Sequence, residues 1–133
     1  MRKLYQIAVI AVLLCLGSAV CLAEALDLAD ADFHFVDARD ATGYYVDMQS
    51  LQFHNDHEVT ARVEIVRADI DRLYLYSIRF NRRKRTYQIL SSTVAEYASK
   101  EMIGGTGVPA KVTGYAAGSP METVVEYIFS PTP

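Results

Sequence analysis

Between Glu58 and Arg67 apolar and polar residues alternate: Val59, Ala61, Val63 and Ile65 interleave with Glu58, Thr60, Arg62 and Glu64. A period of two puts the two sets on opposite faces of a strand. The pattern therefore predicts an antiparallel sheet buried on one face and wetted on the other. Asp69-Ile70-Asp71 predicts a turn, and Arg72 to Phe80 a returning strand with Tyr74, Tyr76, Ile78 and Phe80 on one face. Upstream, Phe33–Asp37 and Tyr44–Met48 are β-prone runs around the turn cluster Asp40–Gly43. Downstream, Asn81–Lys84 turns into Thr86–Leu90, and a further strand is expected over Thr93–Ala98. Successive strands with short turns make a meander. Gly104, Gly105, Gly107, Pro109 and Gly114 then mark a loop. Ser119-Pro120-Met121-Glu122 is a helix start, with serine at the N-cap, proline at the first helical position and glutamate closing a capping box. Met121, Val124, Val125 and Ile128 give that helix one apolar face, and Pro131 stops it. The fold class is α+β: an antiparallel meander with a C-terminal α-helix packed on one face.

The N-terminus follows a different pattern. Arg2 and Lys3 precede a run from Leu4 to Leu16 that is apolar except for Gln6, and Cys21-Leu22-Ala23 offers small residues for cleavage. This layout predicts a cleaved secretory signal peptide over residues 1–23. A permanent anchor would need about 20 apolar residues, and the uninterrupted run spans only Ile7 to Leu16. Lipidation at Cys21 would need a small residue before it, where Val20 stands. The expected location is extracytoplasmic (secreted, periplasmic or cell-surface), with no transmembrane segment after cleavage. Residues 24–32 form an acidic lead-in, read as frayed or as a tether, before one domain over 33–133. Asp27, Asp30 and Asp32 do not continue into the glycine and glutamate of a calcium loop.

Composition changes once the signal is set aside. Both cysteines, Cys15 and Cys21, lie within it, so the mature chain has no thiol chemistry, disulfide or cysteine-bound zinc. It keeps 11 of the 13 basic residues against all 16 acidic ones, a net of −5. That acidity and an ordinary charge fraction argue against nucleic acid as a partner. Charge is also polarised: residues 24–58 carry nine acids and one base, and 59–85 carry three acids and eight bases. The densest positive point is Arg82-Arg83-Lys84-Arg85, on an expected β-turn. Such a run suits docking to an acidic partner: a host protein, a sulfated glycan or an anionic surface polymer. The plainer reading is a solvated turn that discourages edge pairing.

Candidate chemistry is sparse. His54-Asn55-Asp56-His57 lacks a third ligand and reads as an exposed turn. His34, between Phe33 and Phe35, is expected on the opposite face from those rings, in solvent. No nucleophile elbow, HExxH or P-loop occurs, and Gly104–Gly107 runs into Val108-Pro109 and not into a helix. The chain thus reads as non-enzymatic, without catalytic, metal or cofactor residues. Tyr74 and Tyr76, with Phe80, fit a sheet core better than an exposed adhesive stripe.

Four blocks, read in order, resemble the surface-adhesin protein E family: Tyr44-Tyr45-Val46-Asp47-Met48-Gln49-Ser50-Leu51, the strand Glu58–Arg67, Tyr76–Phe80 with Arg85–Leu90, and Gly118–Glu122 leading into the last helix. Tyr45, Asp47 and Ser50 match the family's aromatic, Asp-x-x-Ser strand, a motif that physically reads as a turn lock. The resemblance implies a sheet with a helix against it and a non-enzymatic surface protein that binds host matrix or serum proteins. Two departures stand beside it: the family's cysteine pair is missing from the mature chain, and the lipid-attachment pattern is poor. The expected function is an exported, surface-associated binding module with Arg82–Arg85 as its contact. The alternative is a periplasmic or secreted structural or inhibitory protein that binds a bacterial partner through a sheet edge or the Gly104–Gly118 loop. A third reading, an enzyme built from distant histidines and carboxylates, would need a pocket that collects them.

Overall fold

The computed structural model describes residues 25–130, so the signal-peptide assignment lies outside the described residues. Its elements are β1 (Phe33–Arg39), β2 (Thr42–Phe53), β3 (Glu58–Arg67), a 3-10 turn (Ala68–Ile70), β4 (Arg72–Asn81), β5 (Thr86–Glu96), β6 (Met102–Thr106), β7 (Thr113–Gly114) and α1 (Pro120–Phe129). β1 to β6 follow one another in a single antiparallel sheet, and β7 pairs with β5. The α+β meander with its terminal helix is the architecture that periodicity predicts.

The central register explains the core. Val59, Ala61, Val63 and Ile65 face Phe80, Ile78, Tyr76 and Tyr74 in cross-strand pairs, and paired residues share a face. Val46 joins through Val63, and Val124, Val125 and Ile128 of α1 close over them. Ser119 caps α1 by accepting from the Glu122 N–H, as the capping pattern predicts. Tyr76 packs against the core and stacks on Tyr74, with ring centroids 6.3 Å apart.

Three local expectations change. Thr86–Leu90 and Thr93–Glu96 form one strand, because the register shift opposite Ser77 and Ile78 carries β5 past the interruption in its pattern, and Tyr97 and Ala98 fall in the turn beyond it. The glycine-rich stretch is only partly loop. Met102–Thr106 and Thr113–Gly114 are strands on the same flank of β5, and between them the Ala110 N–H donates to the Ile89 carbonyl at 2.7 Å. His34 does turn away from the exposed Phe35, but it turns under α1: it pairs with Val46, and its Nδ1 shares a 2.6 Å hydrogen bond with the Tyr127 hydroxyl.

The lead-in is fixed at both ends and does not fray. Asp32 prolongs β1: its N–H donates to Asp47 Oδ1, and its carbonyl accepts from the Met48 N–H. Seven residues earlier, Ala25 bridges to Glu101, and the Leu26 N–H donates to the Lys100 carbonyl. These anchors lie at opposite edges of the sheet. Five strand spacings make a flat sheet of this order about 24 Å wide, and six residue steps reach at most about 21 Å. The lead-in also spends part of that reach on a turn closed by Ala31 and Leu28. The sheet must therefore curl its edges together, and register shifts in β1–β2, β2–β3, β4–β5 and β5–β6 supply the bends.

The outer face also departs from simple alternation. Leu73 and Ala95 pair with each other on the side away from α1, yet both are fully buried. Lys100, which the lead-in meets, acts on the charge of Glu64 on the same face. The face is therefore partly covered and not simply wetted.

Candidate docking surface

Asp47 and Ser50 build a corner in β2. Asp47, 3% exposed, accepts from the N–H groups of Asp32 and Gln49 through Oδ1. Ser50 Oγ donates to the Asp47 carbonyl and accepts from the Arg62 N–H at 2.8 Å. Residues 48–51 thereby bulge out of the β2–β3 ladder, whose pairing resumes at Gln52. The motif thus locks a bulge inside a continuous β2, where its chemistry suggests a turn at a strand end. Arg62 Nε stands 3.7 Å from Asp47 Oδ2 with the Phe33 ring beneath the guanidinium. Tyr45 is half-buried on the outer face, edge-on to Phe35 at 5.6 Å. None of these three motif residues contributes to the basic turn.

That turn is organised by its neighbours. Asn81 Oδ1 accepts from the Lys84 N–H at 3.0 Å, which closes the bend, and Asn81 Nδ2 donates to Glu58. Glu58 is also the acceptor of Arg79, and this hydrogen bond holds its carboxyl below the ordinary range. Arg85 leaves the turn in the left-handed region at φ 54°. Its carbonyl receives the Tyr115 N–H, its guanidinium stands over the Tyr115 ring, and it pairs with Glu122 at the start of α1. Glu122 accepts in addition from the Gly118 N–H, and that backbone bond, followed by Arg85, lowers its pKa. Arg85 is thus a tie between turn and helix.

The other three cations are disposed differently. The Arg82 N–H donates to the His57 carbonyl, and its guanidinium lies 4.4 Å above the Phe129 ring. Phe129 in turn meets Phe53, which is 55% exposed, at 5.6 Å. Arg83 and Lys84 project into solvent and make no ion pair among the described residues. Four consecutive cations in the sequence therefore become one structural tie, one aromatic-backed cation and two free ones.

The β2–β3 turn lies alongside. Asn55 Oδ1 accepts from the His57 and Glu58 N–H groups, so this is the Asx turn its residues imply. A shallow cleft between the turns is lined by Phe53, His54, Asp56, Arg82 and Phe129. His54 Nε2 is bonded to Thr60 Oγ1 at 2.7 Å and reaches no carboxylate. His34 belongs to a separate relay, with Nε2 3.1 Å from Asp32 Oδ2 and Nδ1 2.6 Å from the Tyr127 hydroxyl. That relay joins the lead-in, β1 and α1 and lies outside the cleft between the turns. No three metal-ligating side chains converge among the described residues.

Two features of this surface escape sequence reasoning. The aromatic backing of Arg82 comes from residues 47 and 29 positions away, and the Arg85–Glu122 tie spans 37. Only the capping-box glutamate signalled the second, and it signalled a helix start. Among the described residues no helix is long and apolar enough to cross a membrane. Compared with family models, curated proteins and solved structures, the chain matches none.

Proposed function

We propose that this chain is an exported binding module that docks an acidic partner through the β4–β5 turn, with Arg83 and Lys84 as the contacting cations and Arg82 beside them. The observation that carries the reading is the sorting of the basic run. Arg85 is consumed by Glu122, whereas Arg83 and Lys84 project without acidic partners beyond Arg82, which lies on Phe129 beside the exposed Phe53. Free cations at a turn attract a polyanion, and the Phe53–Phe129 platform with Arg82 adds apolar contact where a partner excludes water. The partner class is a sulfated glycan or an acidic matrix or serum protein, and the adhesin resemblance favours a surface location.

Binding of residues 24–133 to a heparin-type sulfated glycan tests this across a salt series. Joint Arg83→Ala and Lys84→Ala substitution is expected to weaken binding about tenfold, roughly 1.4 kcal/mol, and to flatten its salt dependence. Arg85→Ala is expected to lower thermal stability with a smaller effect on binding. Binding whose strength and salt dependence survive the double substitution would overturn the contact assignment. Fractionation of expressing cells tests the export signal separately.

A further inference from the structure

Two of the chain's three histidines sit on the β2–β3 turn, and that turn is fastened to the basic one. The Arg82 N–H donates to the His57 carbonyl at 2.9 Å, and Glu58 pairs with Asn81 where the two turns begin. His54 is exposed and lines the shallow cleft with Phe53, Asp56, Arg82 and Phe129. His57 is half-buried, and both imidazoles lie within electrostatic reach of the Glu58 carboxylate. Imidazole is the side-chain group that gains a positive charge as pH falls from about 8 to 5. We propose that His54 and His57 make this tip an acid-strengthened docking site, which holds a sulfated polyanion more tightly as the medium falls below neutrality. The inference rests on the β4–β5 turn being a docking surface and adds the condition under which that surface grips.

The charges around the two rings set the size of the effect. On the β2–β3 turn these are Asp56 and Glu58, and Glu58 is already paired with Arg79 and bonded to Asn81. The β4–β5 turn brings Arg82, Arg83 and Lys84. From α1 comes the exposed Glu126, which shares a neighbouring cleft with Arg82, while Glu122 is paired with Arg85. Outside the two ion pairs, three cations thus face two acids, a net of +1. Two imidazolium charges raise it to +3. The paired acids do not undo the gain, because Glu58 and Glu122 are both held below the ordinary glutamate range and stay ionised.

Protonation also leaves the local structure intact. The β2–β3 turn is closed by Asn55 Oδ1 on the N–H groups of His57 and Glu58, and neither ring takes part. His54 Nε2 is bonded to the Thr60 hydroxyl, and a hydroxyl partners a charged ring as well as a neutral one. Added charge is therefore free to act on a ligand.

Dextran sulfate is a suitable probe, because its sulfate esters stay charged throughout this range. Untagged residues 24–133, titrated with it at fixed ionic strength, should bind about tenfold more tightly at pH 5.5 than at pH 7.5, with a steeper salt dependence at the lower pH. Joint His54→Gln and His57→Gln substitution should bring the ratio of affinities at the two pH values below about twofold, and each single substitution should remove part of the response. Near-UV circular dichroism at both pH values checks that every variant keeps its fold. Equal affinity at the two pH values would overturn this inference and leave the docking surface standing. So would a pH response that survives the joint substitution in a folded chain. Absence of binding at either pH would overturn the docking surface and this inference with it.

Discussion

At the residue scale, the outer face holds a carboxylate that the fold tolerates at a cost. Glu64 lies mid-strand in β3, and its pKa is raised mainly because burial strips water from the charge, an effect that outweighs the attraction of Lys100 and Arg62. A raised folded pKa means that the folded state binds the proton more tightly than the unfolded chain. The penalty is then full at neutral pH and fades as the medium becomes acid enough to protonate both states, below about 4.3. Glu64→Gln should accordingly raise stability at pH 7, and the gain should vanish near pH 3.5, as read from urea unfolding at both pH values. Glu58 and Glu122 have the opposite sign: each is held low, so each stabilises the fold above the ordinary glutamate range and loses that effect as pH falls through its depressed value. Alternation announced Glu64 as outward-facing. It did not announce the burial, because a period of two assigns a face and not what packs on it.

At the scale of elements, legibility tracked how local the determinants are. β3 and β4 were readable because each has a clean period of two, and α1 because capping, proline and apolar spacing all lie within a dozen residues. β6 was hidden for the converse reason. Met102-Ile103-Gly104-Gly105-Thr106 has no alternation and two glycines, and its strand state comes from hydrogen bonds to β5. The glycine that obscured the strand is one that the strand requires. Gly105→Ala should force its φ out of the +149° region and drive β6 from the Ser92 carbonyl, at a cost of about 2 kcal/mol or more. Hydrogen exchange should show lost protection confined to β6 and its β5 partners. Uniform destabilisation with β6 still protected would contradict that account of Gly105.

At the scale of the whole molecule, the lead-in completes the fold. Read as composition, residues 24–32 are acidic and small, the profile of a tail. In the structure Leu26, Leu28 and Ala31 are half-buried while the aspartates between them face water. Removing residues 24–31 should uncover Leu73 and Ala95 and release the edge-to-edge restraint, costing about 2–4 kcal/mol. The measurement is the urea midpoint of the shortened chain against residues 24–133. An unchanged midpoint would mean that the curl is maintained by the register shifts alone. The candidate docking surface was legible only as a charge run. Its division into tie, stacked cation and free cations depends on contacts between residues that are far apart in sequence.

The two-point anchorage of the lead-in also has a mechanical consequence. If the N-terminus is tethered and the basic turn holds a partner, tension enters the chain at Ala25 and must pass through the strap before it reaches the sheet. The Ala25–Glu101 and Leu26–Lys100 attachments come first, and they would open singly, as a zipper does. The Asp32–Asp47 and Met48–Asp32 bonds come next, backed by β1 lying along β2, where load is shared across a ladder of bonds in shear. A pulled molecule would thus yield a few residues of slack at low force and then stiffen, with its partner-binding turn still folded at the loaded end.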